Sequence, residues 1–313
     1  MRILKPNKLK KGEVIGIISP ASSPHDLSTI EKGVNYLERM GYSVEVGKSV
    51  GKVNGYLAGS DSERVADIHD MFKNKYIRAI FSLRGGYGSA RLLDKLNYQL
   101  IRKNNKIFVG FSDITALQMA FYKKAGIVTF AGPMVATNFS GEINSFSEEF
   151  FWDLITKNRK IGKLKNPNEE KFFVLNKGKS EGKLLGGNLS TIISLMGTNY
   201  LPYFRNSILF LEEINEPPYK IDRMFNQLRL TKIFNTVKGI ILGRFVDCYE
   251  SNKEKNTLSL NEIIINYFKN LKIPVIYNVK HGHISELITL PIGINTKINT
   301  TKGFIEIAET GVI

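Results

Sequence analysis

The chain has 313 residues, with 44 Lys and Arg against 29 Asp and Glu, a formal charge of +15. That length buries a sizeable core and suits two domains better than one; no apolar run approaches the roughly 18 to 20 residues of a membrane helix. The single cysteine, Cys248, excludes an intramolecular disulfide and a cysteine-rich metal site, and fits a reducing cytoplasm. The basic residues are scattered, and their denser patches, such as 157–165, lack interleaved aromatics or a recognition motif. They read as solvated surface or as a lure for an anionic substrate rather than as a nucleic-acid face.

The basic start resembles a signal peptide, but its apolar part, 14–18, is shorter than an h-region of about 7 to 15 residues. It reads as a first strand. Strand signals at 14–19, 43–46, 78–83, 107–110 and 128–131 alternate with helical patterns such as 28–40 and 60–74, which predicts an α/β, Rossmann-like parallel sheet. Such sheets bind ligands at the carboxyl ends of their strands, so four loops should converge there: 19–22, 84–88, Ser112 and 132–134. Residues 161–180 are polar and aperiodic, the best linker candidate. Beyond them, a Gly186-Gly187-Asn188 helix start, strands at 207–212 and 238–242 and a helix at 219–230 suggest a second, smaller α/β domain. The expected division is 1–160, 161–180 and 181–313.

Within 106–126 an apolar run ends in Gly110-Phe111-Ser112-Asp113 and passes into an amphipathic helix. A serine on a strand-to-helix turn projects above the sheet edge, and the Asp113 N–H lies at a helix start, where developing negative charge is stabilised. Ser112 or Asp113 could equally be an N-cap, and Ile114 stands where a Gly-x-Ser-x-Gly elbow has its second glycine. The Arg84-Gly85-Gly86-Tyr87-Gly88 run fails both the dinucleotide and the P-loop patterns. Its glycines permit close backbone approach, either as a plain turn or with Gly86, then Gly85, as a second oxyanion donor.

Four histidines restrict the search for a base. His25 and His69 sit beside or within early helices, while His281 and His283 alternate before an apolar strand. That spacing also suits zinc, but no further metal element accompanies it, and His283 is the better base. The apolar run 208–211 leads into Glu212, whose place past a buried strand suits a triad acid; Glu213 and Glu216 read as solvated loop acids.

Taken in order, Arg-Gly-Gly-Tyr-Gly (84–88), Gly-Phe-Ser-Asp-Ile-Thr (110–115), Gly-Gly-Asn-Leu (186–189), Leu-Glu-Glu-x-x-Glu-Pro-Pro-Tyr-x-Ile-Asp-Arg (211–223) and Gly-His-x5-Thr-Leu-Pro-x-Gly (282–293) mean that the chain resembles the LD-carboxypeptidase family of serine peptidases over nearly its whole length. The resemblance implies a class I amidotransferase-like N-terminal domain and a swivelling β/β/α-type C-terminal domain. It implies a Ser112, Glu212, His283 triad split between them, with Asp113 and Gly85 or Gly86 amides as the oxyanion hole. Family members commonly carry Asp at the position of Glu213. The implied substrate is a murein tetrapeptide cleaved between its L-Lys or diaminopimelate and D-Ala, by a cytoplasmic homodimer without metal or cofactor. Arg84, with Tyr87 beside it, could bind the substrate carboxylate or brace its own loop. The microcin C immunity peptidases share the fold and triad but hydrolyse peptidyl or aminoacyl nucleotides on an aromatic platform. Trp152, in an amphipathic segment, reads as packing, and Glu216-Pro217-Pro218-Tyr219 has the carboxypeptidase form.

Overall fold

Aliphatic runs flanked by amphipathic helices give the first half of the chain a parallel sheet buried on both faces. In the computed structural model, which describes residues 1–167, 170–252 and 254–313, β1 (Val14–Ile18), β2 (Ser43–Val46), β3 (Ile77–Ser82), β4 (Ile107–Val109) and β5 (Thr129–Ala131) lie in the order β5-β4-β3-β1-β2, all parallel. Helices α1 (Ser28–Arg39), α2 (Asp61–Lys73), α3 (Tyr98–Lys103), α4 (Thr115–Ala120) and α5 (Ser145–Thr156) connect and follow them. A capping box starts α2: Ser60 Oγ accepts the Glu63 N–H, and Glu63 Oε2 accepts the Ser60 N–H, satisfying orphan donors of the first turn.

The second sheet has eight strands. β6 (Gly162–Lys163), β7 (Phe173–Asn176), β8 (Lys179–Asn188), β9 (Ile208–Ile214), β10 (Gly239–Val246), β11 (Val275–Tyr277), β13 (Asn295–Asn299) and β14 (Phe304–Ile307) are ordered β6-β14-β13-β8-β9-β10-β11-β7. β8 to β11 are parallel at its centre and the outer strands antiparallel. Helices α6 (Leu189–Ser194), α7 (Pro218–Leu230), α8 (Ile233–Thr236) and α9 (Leu260–Phe268) belong to this half. β12 (Leu290–Ile292) leaves it and pairs antiparallel with β5, as the sixth strand of the first sheet.

Two expectations meet a different structure. The polar stretch 161–180 supplies β6 and β7 at the two opposite edges of the second sheet; an edge strand needs no apolar alternation, so its sequence reads as linker. The helix after Ser112 is not amphipathic: every residue of α4 is buried, because α4 packs between the first sheet and the β8–α6 corner. Trp152 is core, 7% exposed and stacked 5.0 Å from Tyr42, with Nε1 donating to the Tyr36 hydroxyl at 2.9 Å.

Candidate active site

β4 gives way to Gly110, and the chain turns through Phe111 and a single 3-10 turn, Ser112–Ile114, into α4. Ser112 takes φ 63°, a conformation that costs a residue with a Cβ and persists where its surroundings fix it. Here the fixed elements are β4 and buried α4, tied by Gln118 Nε2 donating to the Gly110 carbonyl at 2.9 Å. Asp113 is 8% exposed. Its Oδ2 accepts the Ser89 N–H at 2.9 Å, and its carbonyl accepts the Ser89 hydroxyl at 2.6 Å. Burial pushes the Asp113 carboxyl above its usual range, against the pull of the Ser89 hydrogen bonds. The side chain therefore ties the glycine loop 84–88 to the serine turn.

The four expected loops converge. Ser22 N–H donates to the Gly85 carbonyl at 3.3 Å, and Tyr87 N–H to Ser22 Oγ at 3.1 Å. Gly85 abuts Ser112, and Gly86 sits at φ 106° against Ser22. Val135 and Ala136 N–H donate to the Ser82 and Leu83 carbonyls at 3.2 and 2.8 Å. Arg84 braces the cluster by donating from Nη1 to the Ser23 carbonyl at 3.1 Å, which leaves its Nε and Nη2 without a partner among the described residues. Tyr87 is 51% exposed, edge-on to Tyr56 at 5.4 Å.

From the other half, β9 delivers Glu212 and the loop after β11 delivers His283. Glu212 is 1% exposed, and its Oε2 lies 3.0 Å from His283 Nδ1. This contact fixes which ring nitrogen faces the acid and leaves Nε2 for other work. Gly282, at φ 139°, permits it, since a Cβ there would stand 3.2 Å from Glu212 Oε2. The His283 ring lies 5.0 Å from that of Phe111, the residue before Ser112, so the pair from the second sheet reaches the serine turn of the first.

His281 and His283 do not share a role. They lie on an irregular loop rather than a strand, and their rings part: His281 is 1% exposed, with Nδ1 at 2.6 Å from the Ile288 carbonyl and its ring edge-on to Phe210. Burial lowers its pKa. Among the described residues no group of three or more His, Cys, Asp or Glu is placed to hold a metal. His25 is exposed, and His69 Nε2 accepts the Asn97 N–H at 2.9 Å. Glu216 pairs with Lys220 at 2.9 Å.

Glu213 is not a solvated loop acid. It is the next residue of β9, 1% exposed, and accepts from Asn188 Nδ2 and Ser190 N–H at 2.7 Å each and from Ile214 N–H at 2.9 Å. Burial raises its pKa, the Ile214 amide opposes this, and the charge of Glu212 adds to the rise. The expectation failed because an apolar run gives no sign that a strand continues through two acids. A cleft of about 430 Å³ opens beside His283, lined also by Phe111, Pro133, Thr137, Glu142 and Ile214. Of these, Phe111 and Pro133 lie in turns expected at the sheet edge; 137–144 carried no sequence signal.

The sequence matches the family model of the LD-carboxypeptidase N-terminal domain over residues 15–132 and that of the C-terminal domain over 181–298. A probable murein peptide carboxypeptidase of Bacillus subtilis is 37% identical over 300 residues, covering 95% of this chain and 92% of the relative. The microcin C7 self-immunity protein MccF of Escherichia coli is 30% identical, covering 96% and 94%. The crystal structure of the muramoyltetrapeptide carboxypeptidase of Oxalobacter formigenes superposes with a TM-score of 0.82 at 30% identity, over 94% of this chain and 97% of that one. With its two sheets in this arrangement and both family domains matched, the chain belongs to the LD-carboxypeptidase family.

Proposed function

We propose that this protein is a serine LD-carboxypeptidase that hydrolyses the bond between the L-Lys or meso-diaminopimelate of a murein tetrapeptide and its terminal D-Ala. The observation that carries the reading is the Glu212–His283 pair, 3.0 Å apart and packed against the residue preceding Ser112. His283 Nε2 takes the Ser112 proton as Oγ bonds to the scissile carbonyl carbon. Glu212 holds the ring by Nδ1 and stabilises the imidazolium. The Asp113 and Gly85 or Gly86 amides receive the oxyanion, and Arg84, through its uncommitted nitrogens, receives the carboxylate of D-Ala. Tyr87 walls the mouth. The C–N bond breaks as His283 protonates the departing amine; water, deprotonated by His283, then attacks the acyl carbon, and the bond to Ser112 Oγ breaks as His283 returns the proton to it. Residues 1–160 carry the nucleophile and 181–313 the acid and base of a cytoplasmic homodimer. Among the described residues no helix is long and apolar enough to cross a membrane.

Hydrolysis of an aminoacyl nucleotide is the second reading, supported by the likeness to the immunity protein of Escherichia coli. Trp152, buried in the core, offers it no platform. The deciding experiment incubates the pure protein and Ser112→Ala, with EDTA, with tetrapeptides ending in L-Lys-D-Ala and meso-diaminopimelate-D-Ala, and follows D-Ala by mass spectrometry. Release by the wild type alone is expected; release by Ser112→Ala overturns the triad, and no release by either transfers the reading to the nucleotide substrate.

A further inference from the structure

Three family-motif residues are left over once the reaction is assigned: the Thr of Gly-Phe-Ser-Asp-Ile-Thr, the Asn of Gly-Gly-Asn-Leu and the second Glu of Leu-Glu-Glu. The structure brings them together. Thr115, 1% exposed, stands three residues after Ser112, one turn further along the same helical segment. Its Oγ1 accepts the backbone N–H of Asn188 at 3.1 Å. Asn188 is the β8 residue in register with Glu212. A route of four short links therefore runs from Ser112 through Thr115 and Asn188 to Glu212 and His283.

Both ends of that route are stiff. Asn188 Oδ1 accepts from Thr191 N–H at 3.1 Å and from the Thr191 and Ser190 hydroxyls at 2.9 Å each, while Nδ2 donates to Glu213 Oε1 at 2.7 Å and Glu213 Oε2 accepts the Ser190 N–H at 2.7 Å. The end of β8 is thus locked to β9. Gly187 makes the approach possible: at φ 150° it places no Cβ where one would stand 2.4 Å from Thr115 Oγ1. A glycine beside the strand end, pressed on the buried hydroxyl of α4, fixes a distance between the two halves.

We propose that Thr115 is a positioning residue, whose hydroxyl sets the spacing between the serine turn and the Glu212–His283 pair across the two sheets. The inference rests on the triad reading above. Packing of α4 alone would hold the helix in place without that bond; the hydroxyl adds register. Misplacement of a reacting group by about 1 Å costs roughly 10²-fold in rate, so Thr115→Val, which keeps the shape and removes the acceptor, should lower kcat by about that factor with KM within about twofold.

The test measures the rate at which a small fluorophosphonate labels Ser112, with kcat, KM and the melting temperature, in wild type, Thr115→Val and Thr115→Ser. Labelling and kcat falling together by about 10- to 100-fold in Thr115→Val, and recovering to within about threefold in Thr115→Ser, is the expected result. Wild-type labelling of a folded Thr115→Val, or a Thr115→Ser as slow as Thr115→Val, overturns the proposal. Should Thr115→Val not fold, Thr115→Ala against Thr115→Ser decides, since both lose the same methyl and differ only in the hydroxyl. A wild type that is labelled but releases no D-Ala removes the proposed substrate and leaves this test standing; a wild type not labelled at Ser112 removes both.

Discussion

Gly85 faces Ser112 so closely that a Cβ on the glycine would stand 2.9 Å from Ser112 Cβ and 3.1 Å from its Oγ, with the Asp113 nitrogen 3.4 Å away. The glycine therefore keeps open the space in which a tetrahedral centre would form. Gly85→Ala keeps its amide N–H, but its Cβ would displace Ser112, and kcat is expected to fall by about 10²-fold, the cost of roughly 1 Å of misplacement. Its backbone needs no left-handed conformation, so a fall in melting temperature would come from the clash with Ser112 Cβ alone. D-Ala release and a thermal melt on the same preparation check both halves.

Glu212→Gln retains the volume of a side chain that is 1% exposed but no longer dictates the His283 tautomer. A loss of about 10²- to 10⁴-fold in kcat is expected, smaller than for Ser112→Ala or His283→Ala. Steady-state kinetics of the three variants give the order, and an order with Glu212→Gln lowest would be inconsistent with its supporting place.

The cleft beside His283 carries one carboxylate, Glu142, which has no hydrogen bond or ion pair among the described residues. In the proposed reaction it should favour a substrate whose L-residue ends in a bare ammonium, L-Lys, over meso-diaminopimelate, which carries a carboxylate beside its amine. Glu142 is exposed, so solvent screening limits the effect, and Glu142→Gln should narrow the preference by about two- to fivefold. The ratio of kcat/KM for the two tetrapeptides measures it; an unchanged ratio removes Glu142 from specificity.

Glu309 bridges Lys5 at 2.8 Å and Lys183 at 2.9 Å. Partial burial opposes its ionised form, but the two lysines outweigh it and hold the carboxyl at about 2, against an ordinary 4.5. A carboxyl lowered on folding contributes stability that is full above its unfolded value and is lost as pH falls toward its folded one. Glu309→Gln should therefore melt below the wild type at pH 7, and the gap should close between about pH 4.5 and 2. Melting curves across that range read the convergence directly.

Much of this was legible because glycine and strand-end chemistry are local. Ser112, the 84–88 loop and Glu212 each sit where a strand signal stops and His283 just before one starts, and the structure brings them to one place. What escaped depends on long-range pairing. Glu213 reads as solvent-facing until Asn188, from a strand 25 residues earlier, covers it, and the two-residue pitch of β6 is too short to register in any window. Thr115 lies in a run whose helical period is plain but whose second buried face appears only when β8 arrives from beyond residue 178.

β12 returns from the second half to close the open edge of β5. Only three residues long, it nevertheless makes the first sheet depend on chain that is synthesised long after β5. During translation from the N-terminus, β5 waits with unpaired N–H and C=O groups until residue 292 has emerged, and the histidine loop is threaded between the two sheets in the same act. A nascent or truncated chain ending near residue 160 would thus expose a sticky strand edge and lack the proposed base, which would make β12 and the loop before it both the stopper against self-association and the condition for turnover.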